Sequence, residues 1–174
     1  MLELAILGFL HDSPMHGYEL KQRLKTLTGH FRPVSDGALY PAINRLEKQK
    51  QVRKNREPGE NGQDKIVLHL TDEGKSRLMR ELASPDDVDI SDRNRFFTLL
   101  AFLHAVGREE QLAVLRRRFD FLQGGQSFFS VNGSMIRSKD ETDPFRLGMT
   151  HIAKETTRIE KQWLLDMIAK LEGE

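Results

Sequence analysis

The chain contains no cysteine. That excludes disulfides, thiol nucleophiles and thiolate metal sites, and it fits a reducing compartment. No run of 18 or more apolar residues occurs, so a membrane-spanning helix is not expected. The start of the chain lacks the basic segment and small-residue cleavage site of a signal peptide, which predicts a cytoplasmic location. Net charge is also nearly absent, at +1 over 174 residues.

The marks of catalysis are missing as well. The six histidines, at 11, 16, 30, 69, 104 and 151, form no H-E-x-x-H pair. There is no phosphate-binding Gly-Lys-Ser/Thr loop, no G-x-S-x-G elbow and no dinucleotide fingerprint. Acids are plentiful, but none stands out from salt-bridge material. No catalytic residue, metal site or cofactor is expected, and the chain does not read as an enzyme. With 38% hydrophobic and 30% charged residues, the length suits one ordinary domain or two small ones.

Charge is unevenly spread. Residues 1–80 hold 14 Lys+Arg against 10 Asp+Glu, and residues 81–174 hold 13 against 16. From Arg45 to Arg56 six cations (Arg45, Lys48, Lys50, Arg53, Lys54, Arg56) face only Glu47. Such asymmetry predicts that the first half meets an anion and the second does not.

Periodicity supplies the elements. Leu2, Ala5, Ile6, Phe9 and Leu10 mark one face of a first helix, stopped at His11-Asp12-Ser13-Pro14. A second helix runs from about His16-Gly17 to Thr28, with Gly29 as its C′ residue and Phe31 and Val34 closing the core below. Ser35 is placed to cap a third, with Asp36 at its positive end. In that third helix Leu39, Ala42, Ile43 and Leu46 share a buried face. Opposite them lie Gly37, Tyr40, Pro41, Asn44, Arg45 and Lys48, an unusual set for a merely solvated helix. It offers a bare backbone position, a phenol, an amide and two cations to something polyanionic. Tyr40 either points outward or packs on the neighbouring hairpin. Pro41 lies beyond the first turn and is expected to cant it.

After Lys50 the period drops to two. Residues 51–57 and 65–70 read as strands, with turn chemistry at Pro58-Gly59-Glu60-Asn61-Gly62 between them. In the second strand Ile66, Leu68 and Leu70 are expected to alternate with Lys65, Val67 and His69. A basic hairpin after a recognition helix is the wing of a winged helix-turn-helix. Thr71-Asp72-Glu73 then caps a further helix.

These segments resemble the PadR family of bacterial transcriptional regulators. The resemblance rests on H-G-Y-E-L at 16–20, S-D-G-A-L-Y-P-A-I-N-R-L-E at 35–47 and L-T-D-E-G-K at 70–75, in family order and spacing. It implies a dimeric winged-helix DNA-binding protein, usually a repressor released by a small ligand or another signal. By the same resemblance Ser35, Gly37 and Tyr40 are recognition-helix positions. Two departures bear on the wing. Lys50 stands where the family commonly has glycine, and Lys65-Ile66-Val67-Leu68-His69-Leu70 replaces a strand that is typically Arg-Lys-Tyr-Tyr-Arg-Leu.

Ser84-Pro85-Asp86-Asp87 is a polar break, dividing a DNA-binding domain at 1–83 from a helical dimerisation domain at 84–174. Helices are expected from a Ser91 cap to Val106, over Arg108–Gln123, and from Asp143-Pro144 to about Leu171. Residues 124–142 read as a Gly-, Ser- and Asn-rich loop. On the last helix Met149, Ile152, Thr156, Ile159, Trp163 and Met167 form a stripe that Leu164, Leu165, Ile168 and Leu171 widen. Seven of ten phenylalanines fall between Phe96 and Phe129, an aromatic load that a symmetric dimer would bury.

The expected fold is mainly α with a two-stranded wing, a winged helix-turn-helix followed by an all-helical dimerisation domain. Ser35, Gly37, Tyr40 and Asn44 are the candidates for base contact or close approach. Arg45, Lys48, Arg53, Lys54, Arg56 and Lys65 are the candidates for phosphate. The partners expected are a palindromic double-stranded operator, a second copy, and a small aromatic or drug-like effector near Phe96, Phe97 and Trp163. No membrane partner is expected. The rival reading is a winged-helix protein-interaction module without specific DNA binding.

Overall fold

A computed structural model of the chain describes residues 1–28, 34–58, 64–124, 130–131, 134–135 and 141–173. The expectations for Gly29, Phe31, the 59–62 turn and most of the 124–142 loop lie outside them. Two compact units divide the chain, Met1–Gln111 and Leu112–Glu174.

The first unit is built around α1 (Leu2–Asp12). An apolar stripe was expected on this helix, but Leu4, Ala5, Ile6, Leu7, Gly8 and Leu10 are all buried. Burial on nearly every side means a central helix, and the helices that pack on α1 include those at residues 17–28, 36–48, 72–83 and 93–102. α2 (Gly17–Thr28) and α3 (Asp36–Lys48) lie against it, contributing Leu20, Leu24, Leu39, Ala42, Ile43 and Leu46 to one core. α3 runs without interruption through Pro41. Only the bond that Gly37's carbonyl would have received from an amide at 41 is lost.

Strands β2 (Val52–Glu57) and β3 (Lys65–Leu70) form the antiparallel wing. A third strand, β1 (Met15–His16), adds to the other edge of β3, giving the order β1-β3-β2. Two residues carry no period, so sequence pattern does not reveal such a strand. It alters the burial of β3: Val67, paired with His16 and Asn55, is buried along with Leu68, whereas Ile66 is 54% exposed. The simple alternation expected for this strand therefore fails at Ile66 and Val67. Ile66 lies towards the free end of the hairpin, and Val67 lies mid-sheet between His16 and Asn55.

Helix α4 (Asp72–Ala83) starts as expected, with Thr71 Oγ1 accepting from the Gly74 amide at 3.1 Å. Gly74 has no alternative here, since a Cβ would lie 2.1 Å from the Gln51 carbonyl oxygen. The polar break at Ser84-Pro85 lies inside the first unit. Beyond it come α5 (Asp87–Ser91) and α6 (Arg93–Phe102), closed by a 3-10 turn at Leu103–Ala105. A single helix capped by Ser91 was expected. Instead Asp86 and Asp92 each cap a separate helix, accepting from the Asp89 and Arg95 amides at 2.7 and 2.9 Å. α6 returns to α1, where Gly8 admits the Phe102 ring; a Cβ at Gly8 would come within 2.4 Å of it. Phe9 meets the same ring edge-on at 5.0 Å.

The second unit holds most of α7 (Arg108–Gln123) and all of α8 (Pro144–Gly173), both close to their expected bounds. Asp143 caps α8 through the Arg146 amide at 2.9 Å. A small hairpin, β4 (Ser130–Val131) with β5 (Ser134–Met135), makes this half not purely helical. Leu164 and Leu171 of α8 are buried, and so is Glu160, which accepts from Arg118 Nε of α7 at 2.7 Å. The expected stripe lies on another side and is exposed: Met149 43%, Ile152 67%, Ile159 62% and Trp163 42%.

Candidate nucleic-acid interface

The outward face of α3 is arranged much as its sequence pattern suggests. Leu39, Ala42, Ile43 and Leu46 are buried, while Gly37, Tyr40, Pro41, Asn44, Arg45 and Lys48 are exposed. Ser35 is the N-cap residue, but its hydroxyl makes no capping hydrogen bond, and only its carbonyl engages the first turn. Tyr40 is 49% exposed. Its ring stands beside Gly17 at the start of α2, where a Cβ would sit 3.6 Å from Cε1.

The far end of the helix is closed by a Schellman motif. The Gln51 amide donates to the Leu46 carbonyl and the Lys50 amide to the Glu47 carbonyl, each at 2.9 Å. Lys50 occupies the left-handed position with φ 57°. It therefore takes a conformation that glycine adopts without strain, at a cost of about 1 kcal/mol for a lysine. Thr71 Oγ1 donates to its carbonyl at 2.6 Å, joining the exit of α3 to the start of α4.

The basic set is not uniform. Strand periodicity and the register Lys54↔Leu68, Arg56↔Ile66 put Lys54 and Arg56 on the wing face that carries Val52 and Leu68. Arg53 and Lys65, opposite His69 and Glu57, belong to the other face. Lys54 Nζ reaches Asn44 Oδ1 at 2.8 Å and Glu47 Oε2 at 2.6 Å, so the wing is tied to α3. Arg45 Nε donates to Glu3 Oε1 at 2.9 Å, and Arg77 donates to Glu3 Oε2 at the same distance. Burial opposes the Glu3 charge, but the two guanidiniums outweigh it and hold its carboxyl below the ordinary value. For Arg77, burial again works against the charge; hydrogen bonds to Glu81 and Glu3 raise its pKa nonetheless.

Two residues of α2, Lys21 and Tyr18, stand at the same edge and are not among the expected DNA-contact residues. Lys21 pairs with Asp36 at 2.7 Å, and that hydrogen bond is the first cause of its raised pKa. Its ammonium also lies within electrostatic reach of the Tyr18 and Tyr40 hydroxyls, and Tyr18 is 72% exposed. The sequence signal for Tyr18 was its place in H-G-Y-E-L.

Phe96 is fully buried, Phe97 is 42% exposed under the Arg93 guanidinium, and Trp163 belongs to the second unit. Among the described residues no cluster of three or more His, Asp or Glu is placed to hold a metal ion, and no helix is long and apolar enough to cross a membrane.

Three helices, a paired wing and a polar helix face beside that wing define a winged helix-turn-helix regulator. Residues 6–80 match the transcriptional regulator PadR-like family. A crystallised PadR-like transcriptional regulator of Bacillus cereus is 30% identical over 45% of this chain and 75% of its own, with a TM-score of 0.41. The chain belongs to the PadR-like family of transcriptional regulators, and regulation rather than catalysis is its class of activity. The negative transcriptional regulator PadR of Bacillus subtilis is 22% identical over 181 residues, spanning 99% of this chain and 98% of that one. Its crystal structure with operator DNA covers 98% of both chains at 21% identity and a TM-score of 0.47. Its structure with p-coumaric acid covers 98% of both at 20% identity and a TM-score of 0.44.

Proposed function

We propose that this regulator is a cytoplasmic, homodimeric repressor that reads a palindromic operator with α3. The observation that carries the reading is the division of α3 into a fully buried apolar side and an exposed side bearing Gly37, Tyr40 and Asn44. Among the described residues Lys54 reaches that side at Asn44 and Glu3 reaches it at Arg45, while Gly37, Tyr40, Pro41 and Asn44 stay exposed, and a helix of this composition suits the major groove. Ser35 and Gly37 permit close approach, and Tyr40 and Asn44 reach base edges. Arg45, Lys48, Arg53, Arg56 and Lys65 supply positive charge for phosphates on either side. In this scheme residues 1–83 are the DNA-binding domain and 84–174 the dimerisation domain.

The exposed apolar side of α8 supports self-association. Exposed Phe97 and Trp163 are the aromatic surfaces available to an effector of aromatic or drug-like kind. The p-coumaric acid bound by the Bacillus subtilis relative gives that proposal its chemical class.

The test is a mobility shift on the DNA upstream of the protein's own gene, with unlabelled specific and scrambled competitors. Wild-type protein should shift the DNA in a form competed only by the specific sequence. Tyr40→Ala should weaken that shift roughly tenfold, within the range of one lost base contact, while dimerisation and helix content stay unchanged. Unaltered binding by the folded variant overturns the role of Tyr40. A complete lack of specific shift by the wild type would favour an interaction module.

A further inference from the structure

Asn44 and Glu47 stand three residues apart on α3, and both meet one cation of the wing. Lys54 Nζ lies 2.8 Å from Asn44 Oδ1 and 2.6 Å from Glu47 Oε2. The backbone explains why it is Lys54. Its partner across the ladder is Leu68, and it shares a strand face with buried Val52, the face turned to α3. A lysine ammonium carries three donors and no lone pair, so the Asn44 atom facing it has to be the amide oxygen. The amide group, whose two ends have nearly the same shape, is thereby oriented, and its NH2 points away from the wing.

We propose that Lys54 is a specificity-setting positioning residue: by holding the Asn44 amide oxygen it makes Asn44 read DNA as a donor. The inference rests on α3 being the helix that enters the major groove. An unrestrained asparagine pairs bidentately with adenine, accepting from N6 and donating to N7. With the ammonium on one of the two Oδ1 lone pairs, a second donor such as adenine N6 has only the other lone pair to meet and must approach it beside a positive charge. The free NH2 instead suits acceptor edges, namely guanine N7 and O6 or thymine O4. The Lys54 charge is matched locally by Glu47, so it has little left for a phosphate. Lys54 thus leaves the phosphate-contact set and joins the base-reading apparatus.

The experiment is selection from a pool of duplexes with a randomised centre, using full-length wild type, Lys54→Met and Lys54→Arg. Titrations over a salt series on the wild-type-selected duplex accompany it. Lys54→Met should newly accept adenine at one position per half-site, lowering discrimination there about tenfold. Its salt slope should equal that of the wild type, and Lys54→Arg, still a cation without a lone pair, should restore the original preference. Lys54→Val serves as a second variant if Lys54→Met loses its circular-dichroism signature; it too removes the donor and the charge beside Asn44 Oδ1, suits a strand, and should show the same shift towards adenine.

Uniform weakening across all sequences, with a slope shallower by about 0.9 per lost lysine, would instead make Lys54 a phosphate contact and overturn the proposal. Unchanged preferences in both folded variants would overturn it as well. Enrichment of no sequence by the wild type would remove the DNA-reading role of α3 itself, an outcome distinct from either.

Discussion

Lys50 closes the recognition helix in a conformation that costs a lysine more than a glycine. Its φ of 57° is required because Gln51 and Lys50 donate back to Leu46 and Glu47 in one Schellman turn. Lys50→Gly should raise stability by about 1 kcal/mol, read as a higher urea midpoint with unchanged slope. No change would mean that the extra backbone freedom of glycine in the unfolded chain offsets the relief. Lys50 was legible beforehand, since the resemblance marks the position and the residue departs from it. The pairing of Lys54 with Asn44 was not legible. Lys54 looks like any other cation in a basic run until strand register turns it towards α3, whereas Arg53 and Lys65 lie on the opposite face.

Between elements, Glu3 is the junction. One carboxylate on the first turn of α1 receives Arg45 from α3 and Arg77 from α4, and Arg77 also donates to Glu81 at 2.6 Å and Gln51 at 2.7 Å. The Glu3 carboxyl is held below its ordinary value of 4.5, so the folded state binds fewer protons there than the unfolded chain. Its stabilising effect is therefore present above that value and is lost as pH falls through the folded-state pKa. Glu3→Gln should be about 1–2 kcal/mol less stable at neutral pH, and the difference should shrink on acidification below pH 4.5. Denaturant titrations of both proteins across that range check this; a constant difference would show that the charge of Glu3 is not what matters. Helix spans were readable wherever caps and periods were strong, as in α3 and α8, and the start of α4 was marked by Thr71. β1 and α5 were missed because two and five residues are too few to show a period. The split at Asp92 was missed because several neighbouring residues could each serve as a cap.

At the scale of the whole molecule, α8 carries apolar surface that one chain leaves in water. Phe145, Met149, Ile152, Thr156, Ile159 and Trp163 recur at alternating spacings of four and three, the repeat of a helix seam that meets another helix. Leu164, Leu171 and the Arg118–Glu160 pair already occupy the side towards α7. Ile159, at 62% exposure, lies mid-seam. Ile159→Glu should weaken self-association at least roughly tenfold, since burying an unpaired carboxylate is costly. Sedimentation across concentration would measure it, and a variant that stays as associated as the wild type would exclude this seam as the contact.

The sequence by itself determined what depends on near neighbours. Helical and strand periods, the side-chain caps at Thr71 and Asp143, the turn at Lys50 and the motif order that marks the family all act over a few residues. Tertiary structure decided what each charge and ring meets. Arg45 and Glu3 lie 42 residues apart, and Phe102 reaches Gly8 from beyond the expected domain break. Such partners are chosen by packing of the buried faces, which brings distant side chains within hydrogen-bond reach and leaves no local mark in the chain.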